Sequence, residues 1–259
     1  MSTSPTIHNT NTSVLQKDAI DLLKKLIAIP SFSKEEDKTA FALTQFFADR
    51  NIKVNTIKNN IWATNLHFDA NKPSILLNSH HDTVKPNKGY TIEPFNPMEK
   101  EGKLYGLGSN DAGGCLVSLI ACFLHFYAMP NLGYNIIFVA SAEEEISGHD
   151  GIELVLPQIP TIDFGIVGEP TKMEMAIAER GLLVLDVATT GKAGHAAREE
   201  GENAIYKILA DIEWFKNYQN EYYKQNKDYL LCVMTRGQDF NNLSETIKNI
   251  SQLVYENVN

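Results

Sequence analysis

The sequence predicts an α/β fold with a mostly parallel central sheet and helices on both faces. Short apolar runs at residues 74–78 and 135–140 have the uninterrupted hydrophobic character of strands that are buried on both faces. Segments with helical spacing of apolar residues lie between such runs, and strands that alternate with helices are typical of a parallel sheet. The length of 259 residues suits one large domain with a smaller one, because single cores stop growing at roughly 250 to 300 residues.

Two helices are predicted before the first strand. Apolar residues recur at helical spacing over residues 15–27, and Pro30 ends this segment. Ser33 is predicted to cap a second helix over residues 34–49, whose first turn is acidic, as the helix dipole favours.

Strands and helices are then predicted to alternate. The predicted strands are residues 53–57, 61–65, 74–78, 103–105, 135–140 and 164–167. The predicted helices are residues 112–128 and 148–156. Residues 182–189 and a helix at residues 203–216 indicate a β-then-α unit, and residues 243–258 are predicted to form a terminal amphipathic helix.

The composition argues against several classes of partner. The formal net charge is −9 and no basic run occurs, so we expect neither a nucleic acid nor a membrane as a partner. Residues 1–13 are polar and lack the pattern of a signal peptide, and the three cysteines form no Cys-x-x-Cys pair. We therefore expect a cytoplasmic protein with reduced thiols.

Ionisable residues gather where the predicted buried strands end. His80, His81 and Asp82 follow one strand, the acidic run 143–145 follows another, and Glu169 follows a third. Functional groups in parallel sheets lie beyond the carboxyl ends of the strands, so these residues are expected to converge. Asp111 can join them because glycines precede it in a predicted tight turn.

Carboxylates packed so closely repel one another unless protons or a cation neutralise them. A mixed set of histidine and carboxylates suits zinc, manganese or cobalt, and two ions roughly 3.5 to 4 Å apart would need a bridging carboxylate, for which Asp111 is the natural candidate. Each motif alone has an ordinary alternative: a surface turn at His80, a solvated acidic loop at residues 143–145, and a helix-initiating turn at Glu169. Their joint occurrence at successive strand ends favours the metal site.

Four segments of the sequence together resemble a known family. They are Ser79-His80-His81-Asp82-Thr83-Val84, Gly106-Leu107-Gly108-Ser109-Asn110-Asp111, Glu143-Glu144-Glu145 and Gly168-Glu169-Pro170-Thr171. In order and spacing they resemble the co-catalytic zinc hydrolases that include acetylornithine deacetylase and succinyl-diaminopimelate desuccinylase, over about residues 15–215. The resemblance implies a zinc exopeptidase-like fold, two Zn²⁺ ions, for which Co²⁺ or Mn²⁺ could substitute, and a cis peptide bond after Asp111.

The resemblance also implies a role for each matched residue. His80 and Glu169 would bind the first metal, Asp111 would bridge, and Glu145 would bind the second metal. Asp82 would orient the His80 ring.

Glu144 would be the general base in this scheme, taking a proton from water and giving it to the leaving amine. His195, in Gly194-His195-Ala196-Ala197, would stabilise the oxyanion of the scissile amide across a homodimer interface.

The resemblance implies a catalytic domain over residues 1–178, a partial lid or dimerisation domain over residues 179–240 and a C-terminal helix over residues 241–259 that returns to the catalytic domain. The substrate implied is an N-acyl amino acid, N-acetylornithine or N-succinylornithine, cleaved to ornithine in arginine biosynthesis.

The sequence departs from the family at its C-terminal part. The family supplies a late histidine to the second metal, and this chain has no histidine after His195. Two alternatives therefore stand beside the active deacylase: a shortened, weakly active or inactive metal-binding relative, and an aminopeptidase or dipeptidase of the same family.

Overall fold

The computed structural model describes residues 11–176, 187–198 and 200–223. The chain divides into two compact units, Met1–Glu174 and Met175–Asn259. The predicted division at residues 178 and 240 stays a prediction, and its last segment, residues 241–259, lies outside the described residues.

The first unit begins with two helices. Helix α1 is Thr12–Ile27, and the Asn11 side chain caps it by accepting a hydrogen bond from the Ser13 N–H. Helix α2 is Asp37–Ala48 and begins three residues later than predicted. The prediction that Ser33 caps α2 is wrong, because its hydroxyl donates instead to Asp82 Oδ2 at 2.7 Å.

The predicted strands and later helices of this unit occur in the predicted order, together with one strand, residues 98–100, that was not predicted. The strands are β1 Asn55–Ile57, β2 Asn60–Thr64, β3 Ser74–His80, β4 Met98–Lys100, β5 Lys103–Tyr105, β6 Asn135–Ser141 and β7 Phe164–Val167. The helices are α3 Cys115–Tyr127, α4 Ile152–Val155 and, in the second unit, α5 Ala204–Tyr223. The predicted helix at residues 148–156 is thus only four residues of α-helix, followed by the 3₁₀ turn Leu156–Gln158.

The central sheet has the strand order β1-β2-β6-β3-β7. Strand β3 pairs in parallel with β6 on one side and β7 on the other, whereas β2 pairs antiparallel with β6 and with β1. The α/β fold is confirmed, and the described sheet is mixed, with a parallel centre and an antiparallel edge. Strands β4 and β5 form a separate antiparallel pair.

Apolar side chains cover both faces of this sheet. On one face α1, α2 and α3 bury Leu22, Leu43 and Phe123 against strand residues such as Phe138. On the other face Leu76, Ile137 and Val139 pack with Val155 of α4. Strand β7 carries exposed apolar side chains, Phe164, Ile166 and Val167.

Among the described residues, one helical segment, Ser109–Tyr127, is long and apolar enough to cross a membrane by length and composition alone. Its buried residues include Leu116, Ile120 and Phe123, which belong to the main core cluster with α1 and β6. One face of this helix therefore packs into the core.

The second unit contains the predicted helix at residues 203–216, which extends to Tyr223 as α5. An antiparallel bridge joins Lys192 and Glu202, and the Thr189 hydroxyl donates to the Ala204 carbonyl at the start of the helix. Most of the predicted strand at residues 182–189 and the helix at residues 243–258 lie outside the described residues.

Phe47 lies at the centre of the main core. Its replacement should lower the free energy of unfolding more than replacement of an exposed phenylalanine in the same helix. Its side chain is 0% exposed, and its ring centroid lies 6.1 Å from that of Phe123 and 5.5 Å from that of Phe138. We expect Phe47→Ala to lower the free energy of unfolding by about 3 to 5 kcal/mol, measured by urea denaturation. Phe41, which is 65% exposed on α2, is the matched control. Phe41→Ala should change the value by less than about 1 kcal/mol, and equal losses would contradict this description of the core.

Candidate metal centre

The register of the parallel strands places the functional residues at one edge of the sheet. His80, the last residue of β3, pairs with Ser141 at the end of β6. On the other side of β3, Asn78 pairs with Val167 at the end of β7. The segments that follow β3, β6 and β7 therefore leave the sheet side by side, as the sequence predicted.

Glycines bring Asp111 to the same place. Gly106 and Gly108 both have positive φ, 155° and 73°, and a Cβ on Gly108 would lie 2.6 Å from Thr83 Cγ2. The chain then enters the π-helical turn Ser109–Gly114, in which Asp111 has non-helical φ and ψ. The peptide bond from Asp111 to Ala112 is cis, as the resemblance implied.

The His80 ring is the centre of the cluster. Its Nε2 atom lies 3.2 Å from Asp111 Oδ1, 3.7 Å from Glu144 Oε2 and 3.9 Å from Glu169 Oε2. His80 itself is 1% exposed, whereas the Asp111 and Glu144 side chains are 58% and 52% exposed. The site is thus buried on the histidine side and open to solvent on the side of Asp111 and Glu144.

The other ring nitrogen of His80, Nδ1, contacts two oxygen atoms of Asp82. Nδ1 lies 3.0 Å from the Asp82 carbonyl oxygen and 3.3 Å from Asp82 Oδ1. Both neighbours are acceptors, so Nδ1 carries the proton that it donates. In the neutral ring this leaves the Nε2 lone pair directed at the carboxylates, as a metal ligand requires.

Two sets of three groups have the spacing of a metal site. One comprises His80, Asp111 and Glu145, and the other His80, Glu144 and Glu169, with the ligand atoms in each set within 4.8 Å of one another. The three other predicted ligands and the predicted base therefore surround the His80 imidazole. Glu144, predicted as a base, also lies within ligand distance of the others.

The carboxylates alter the acidity of His80 and Glu169. Burial opposes protonation of His80, but the carboxylate of Asp82, with those of Glu169 and Glu144, outweighs it and raises the pKa of His80 to about 9. Burial raises the pKa of Glu169 to about 7; the His80 ring opposes this, and the neighbouring acids, Glu144 first, add to it. Protons held this tightly indicate that the cluster has more negative charge than its surroundings compensate.

The remaining acids are affected in opposite directions. Burial, together with the charge of Asp111, raises the pKa of Glu145. Burial also acts on Asp82, yet its hydrogen bonds with His80, Ser33 and the Glu145 N–H hold the pKa of its carboxyl below the usual value. Asp82 is thus suited to stay ionised behind the ring, while the groups in front of it have raised affinity for a positive charge.

This set of donors fits a divalent cation. One imidazole nitrogen and several carboxylate oxygens are the ligand types that zinc, cobalt and manganese accept. A cation would replace the protons on His80 and Glu169 and remove the repulsion between the carboxylates. Its ligands would be His80, Asp111 and Glu169, and Glu145 would bind a second ion.

Sequence reasoning missed three residues that hold the site in place. Asn60 Oδ1 accepts a hydrogen bond from the Ala142 N–H, and the buried Glu36 carboxylate accepts one from the Glu143 N–H. Ser33 donates to Asp82. These contacts join residues that are far apart in the sequence, and no local pattern predicts them.

His195 lies in the second unit. It is exposed, and its Nδ1 atom accepts a hydrogen bond from the Ala197 N–H at 3.3 Å. Its predicted role at the oxyanion stays a prediction.

Solved structures with the same fold include aminopeptidase PepT from Bacillus cereus, with a TM-score of 0.50 and 23% identity over 75% of this chain and 55% of that one. The YXEP protein of Bacillus subtilis, described as a dinuclear metal binding peptidase from the M20 family, gives a TM-score of 0.50 at 15% identity, with 73% and 62% covered. At these identities the likeness concerns the fold alone.

Two curated relatives have higher sequence identity to this chain than these solved structures. Acetylornithine deacetylase of Proteus mirabilis is 33% identical over 202 residues, covering 72% of this chain and 51% of that protein. Succinyl-diaminopimelate desuccinylase of Wolbachia pipientis wMel is 27% identical over 250 residues, covering 89% and 62%. The chain spans little more than half the length of these relatives.

The chain also matches a family profile. Residues 76–248, well over half of the chain, match the sequence profile of Peptidase family M20/M25/M40. That range contains every predicted ligand, the acidic run after β6 and His195. The chain therefore belongs to Peptidase family M20/M25/M40.

Proposed function

We propose that this protein is a metal-dependent amidohydrolase that cleaves an N-acyl amino acid, with N-acetylornithine or N-succinylornithine as substrate and ornithine as product. The observation that carries the proposal is the placement of four carboxylates around His80 Nε2, with the ligand atoms of each set within 4.8 Å. The 33% identity to an acetylornithine deacetylase supports the choice of substrate and a place in arginine biosynthesis.

The metal ligands in this proposal are His80, Asp111, Glu145 and Glu169, with Asp111 shared between two ions. Zn²⁺ is the proposed metal, and Co²⁺ or Mn²⁺ would meet the same ligand types. When bound, the metal would polarise the scissile carbonyl group and lower the pKa of a water molecule.

The residues of the chain supply the proton transfers. Glu144 is half exposed at the open side of the cluster, 3.7 Å from His80 Nε2, so water and substrate can reach its carboxylate. It accepts a proton from the attacking water and donates it to the leaving nitrogen as the C–N bond breaks, giving a carboxylate and a free amine. Asp82 keeps the His80 ring oriented through Nδ1.

The proposal includes a second copy of the chain. His195, supplied by the small unit of a partner copy, would donate a hydrogen bond to the substrate carbonyl oxygen as negative charge develops there. This extends the proposal to a cytoplasmic homodimer.

Metal content and turnover of Glu144→Ala test the proposal directly. We expect the unmodified protein to bind up to two zinc ions per chain and to hydrolyse N-acetylornithine or N-succinylornithine. Glu144→Ala should keep the metal and lose about 10²- to 10⁴-fold in kcat, because only the proton acceptor is removed. Metal is measured by atomic absorption and turnover by release of ornithine.

Glu153→Ala is the control, since Glu153 is an exposed glutamate of the same unit, bonded to His149. Loss of metal from Glu144→Ala would instead make Glu144 a ligand. A panel of N-succinyl-diaminopimelate and dipeptides run beside the ornithine derivatives distinguishes the family's other activities. Bound metal without turnover of any compound would overturn the proposed function and leave a metal-binding relative.

Metal affinity should rise with pH, because bound protons compete with the cation. His80, with a pKa of about 9, and Glu169, with a pKa of about 7, both hold protons in mildly acidic solution. Affinity should therefore weaken as pH falls from about 8.5 to 6, with about one to two protons released per binding event near neutrality. Calorimetry in two buffers of different ionisation enthalpy counts them. Glu169→Gln should release fewer protons, and an affinity independent of pH would contradict the assignment of His80 as a ligand.

A further inference from the structure

The turn that carries Glu144 is held by side chains along its whole backbone. We define the acidic turn as the residues 142–145, which follow β6. Each of its four successive backbone N–H groups donates to a side-chain oxygen: Ala142 to Asn60 Oδ1 at 2.9 Å, Glu143 to Glu36 Oε1 at 3.2 Å, and Glu144 and Glu145 to the two oxygens of Asp82 at 3.1 Å each. The acceptors come from three separate segments of the chain.

The backbone of the acidic turn needs such support. Glu143 has φ 54° and ψ 24°, in the left-handed region, and Ser147, just beyond the turn, has φ 49°. Residues with a Cβ are disfavoured there, because the side chain approaches the carbonyl oxygen of its own peptide unit. The conformation directs Glu144 and Glu145 toward His80, so whatever holds the Glu143 backbone also sets the direction of the next two side chains.

Glu36 makes the contact to Glu143 from a fully buried position. Its side chain is 0% exposed, and its two oxygens accept three hydrogen bonds: from the Lys34 N–H at 2.7 Å, from the Glu143 N–H, and from Asn59 Nδ2 at 2.7 Å. No ion pair of Glu36 occurs among the described residues. A carboxylate buried in this way is costly unless hydrogen bonds compensate, and here N–H groups alone supply them.

Helix capping does not account for Glu36. It occupies the position before the first residue of α2, yet its side chain makes no capping hydrogen bond to that helix. The side chain points away from the helix toward the β1–β2 turn and the acidic turn. The Glu36 carboxylate therefore hydrogen-bonds to the segment that bears the proposed base.

We propose that Glu36 is a positioning residue of the active site: through the Glu143 N–H it fixes the acidic turn and thereby the direction of the Glu144 carboxylate. It touches neither substrate nor metal. The inference rests on the proposed function for its catalytic consequence, but the structural restraint itself can be measured without any activity.

The experiment compares Glu36→Ala and Glu36→Gln with a control variant at another fully buried polar residue. Asn135 is also fully buried, and its side chain makes hydrogen bonds to Asp69 and Lys72, but it lies at the opposite end of β6 from the acidic turn. Asn135→Ala therefore removes a buried network without reaching the site. The measurements are kcat and KM on the substrate panel and the hydrogen exchange of the amides of residues 142–145.

We expect Glu36→Ala to lower kcat by about 10- to 100-fold with KM changed by less than about threefold, because the base is misplaced while the substrate contacts remain. Glu36→Gln should recover most of kcat, since its amide oxygen can still accept from the Glu143 N–H and Asn59 can reorient to face the amide nitrogen. Asn135→Ala should keep kcat although it lowers stability. Hydrogen exchange of the amides of residues 142–145 should accelerate in Glu36→Ala but not in Asn135→Ala.

Failure of this inference is separable from failure of the proposed function. If the unmodified protein hydrolyses nothing on the panel, the proposed function fails, and the exchange measurement still decides the restraint. Unchanged exchange in Glu36→Ala, or equal acceleration in Asn135→Ala, would overturn the restraint. In an active protein, an unchanged kcat in Glu36→Ala or a Glu36→Gln variant as impaired as Glu36→Ala would overturn the positioning role. Should Glu36→Ala fail to fold, Glu36→Asp, whose shorter side chain withdraws the carboxylate from Glu143, takes its place under the same criteria.

Discussion

The parallel pairing of β3 with both β6 and β7 determines where every ionisable group of the site lies. Because His80 pairs with Ser141 and Asn78 with Val167, β3 and β6 end opposite each other and β7 ends two residues earlier. The segments that follow these strands therefore leave the same edge of the sheet side by side. Apolar packing on both faces of the sheet holds the strands in this register, because a shift of one residue would turn each side chain of β3 to the opposite face. The geometry of the site is thus a consequence of the core.

The same convergence creates the electrostatic property of the site. His80 is buried between Asp82 on its Nδ1 side and four carboxylates on its Nε2 side, and a pKa of about 9 for a buried imidazole reflects that excess of negative charge. Burial, with the neighbouring acids adding to it, raises the pKa of Glu169 to about 7. A cation bound at this position would take over the role of both protons. The open side of the cluster, where Asp111 and Glu144 are exposed, is where a substrate would approach.

How much of this could be predicted from sequence depends on whether the signal is local. The strand ends at His80 and Glu169 could be predicted because each follows an uninterrupted apolar run, and Asp111 because glycines precede it. The antiparallel edge of the sheet was not predicted, since β1 and β2 have apolar patterns that do not reveal strand direction. Ser33, Glu36 and Asn60 were missed because their partners are distant in sequence; Glu36, for instance, meets Glu143 across 107 positions. Serine is a common N-cap residue, so the sequence favours a capping role for Ser33. Only the fold shows that its hydroxyl donates to Asp82 instead.

The proposed metal site is built around His80 as a ligand. Anomalous diffraction at the zinc absorption edge, from crystals of the zinc-loaded protein, measures this most directly. We expect a peak with His80 Nε2 and carboxylate oxygens of Asp111 and Glu169 at roughly 2.0 to 2.3 Å, and Glu145 on any second ion. Zinc bound elsewhere, with the His80 ring still facing unliganded carboxylates, would contradict it.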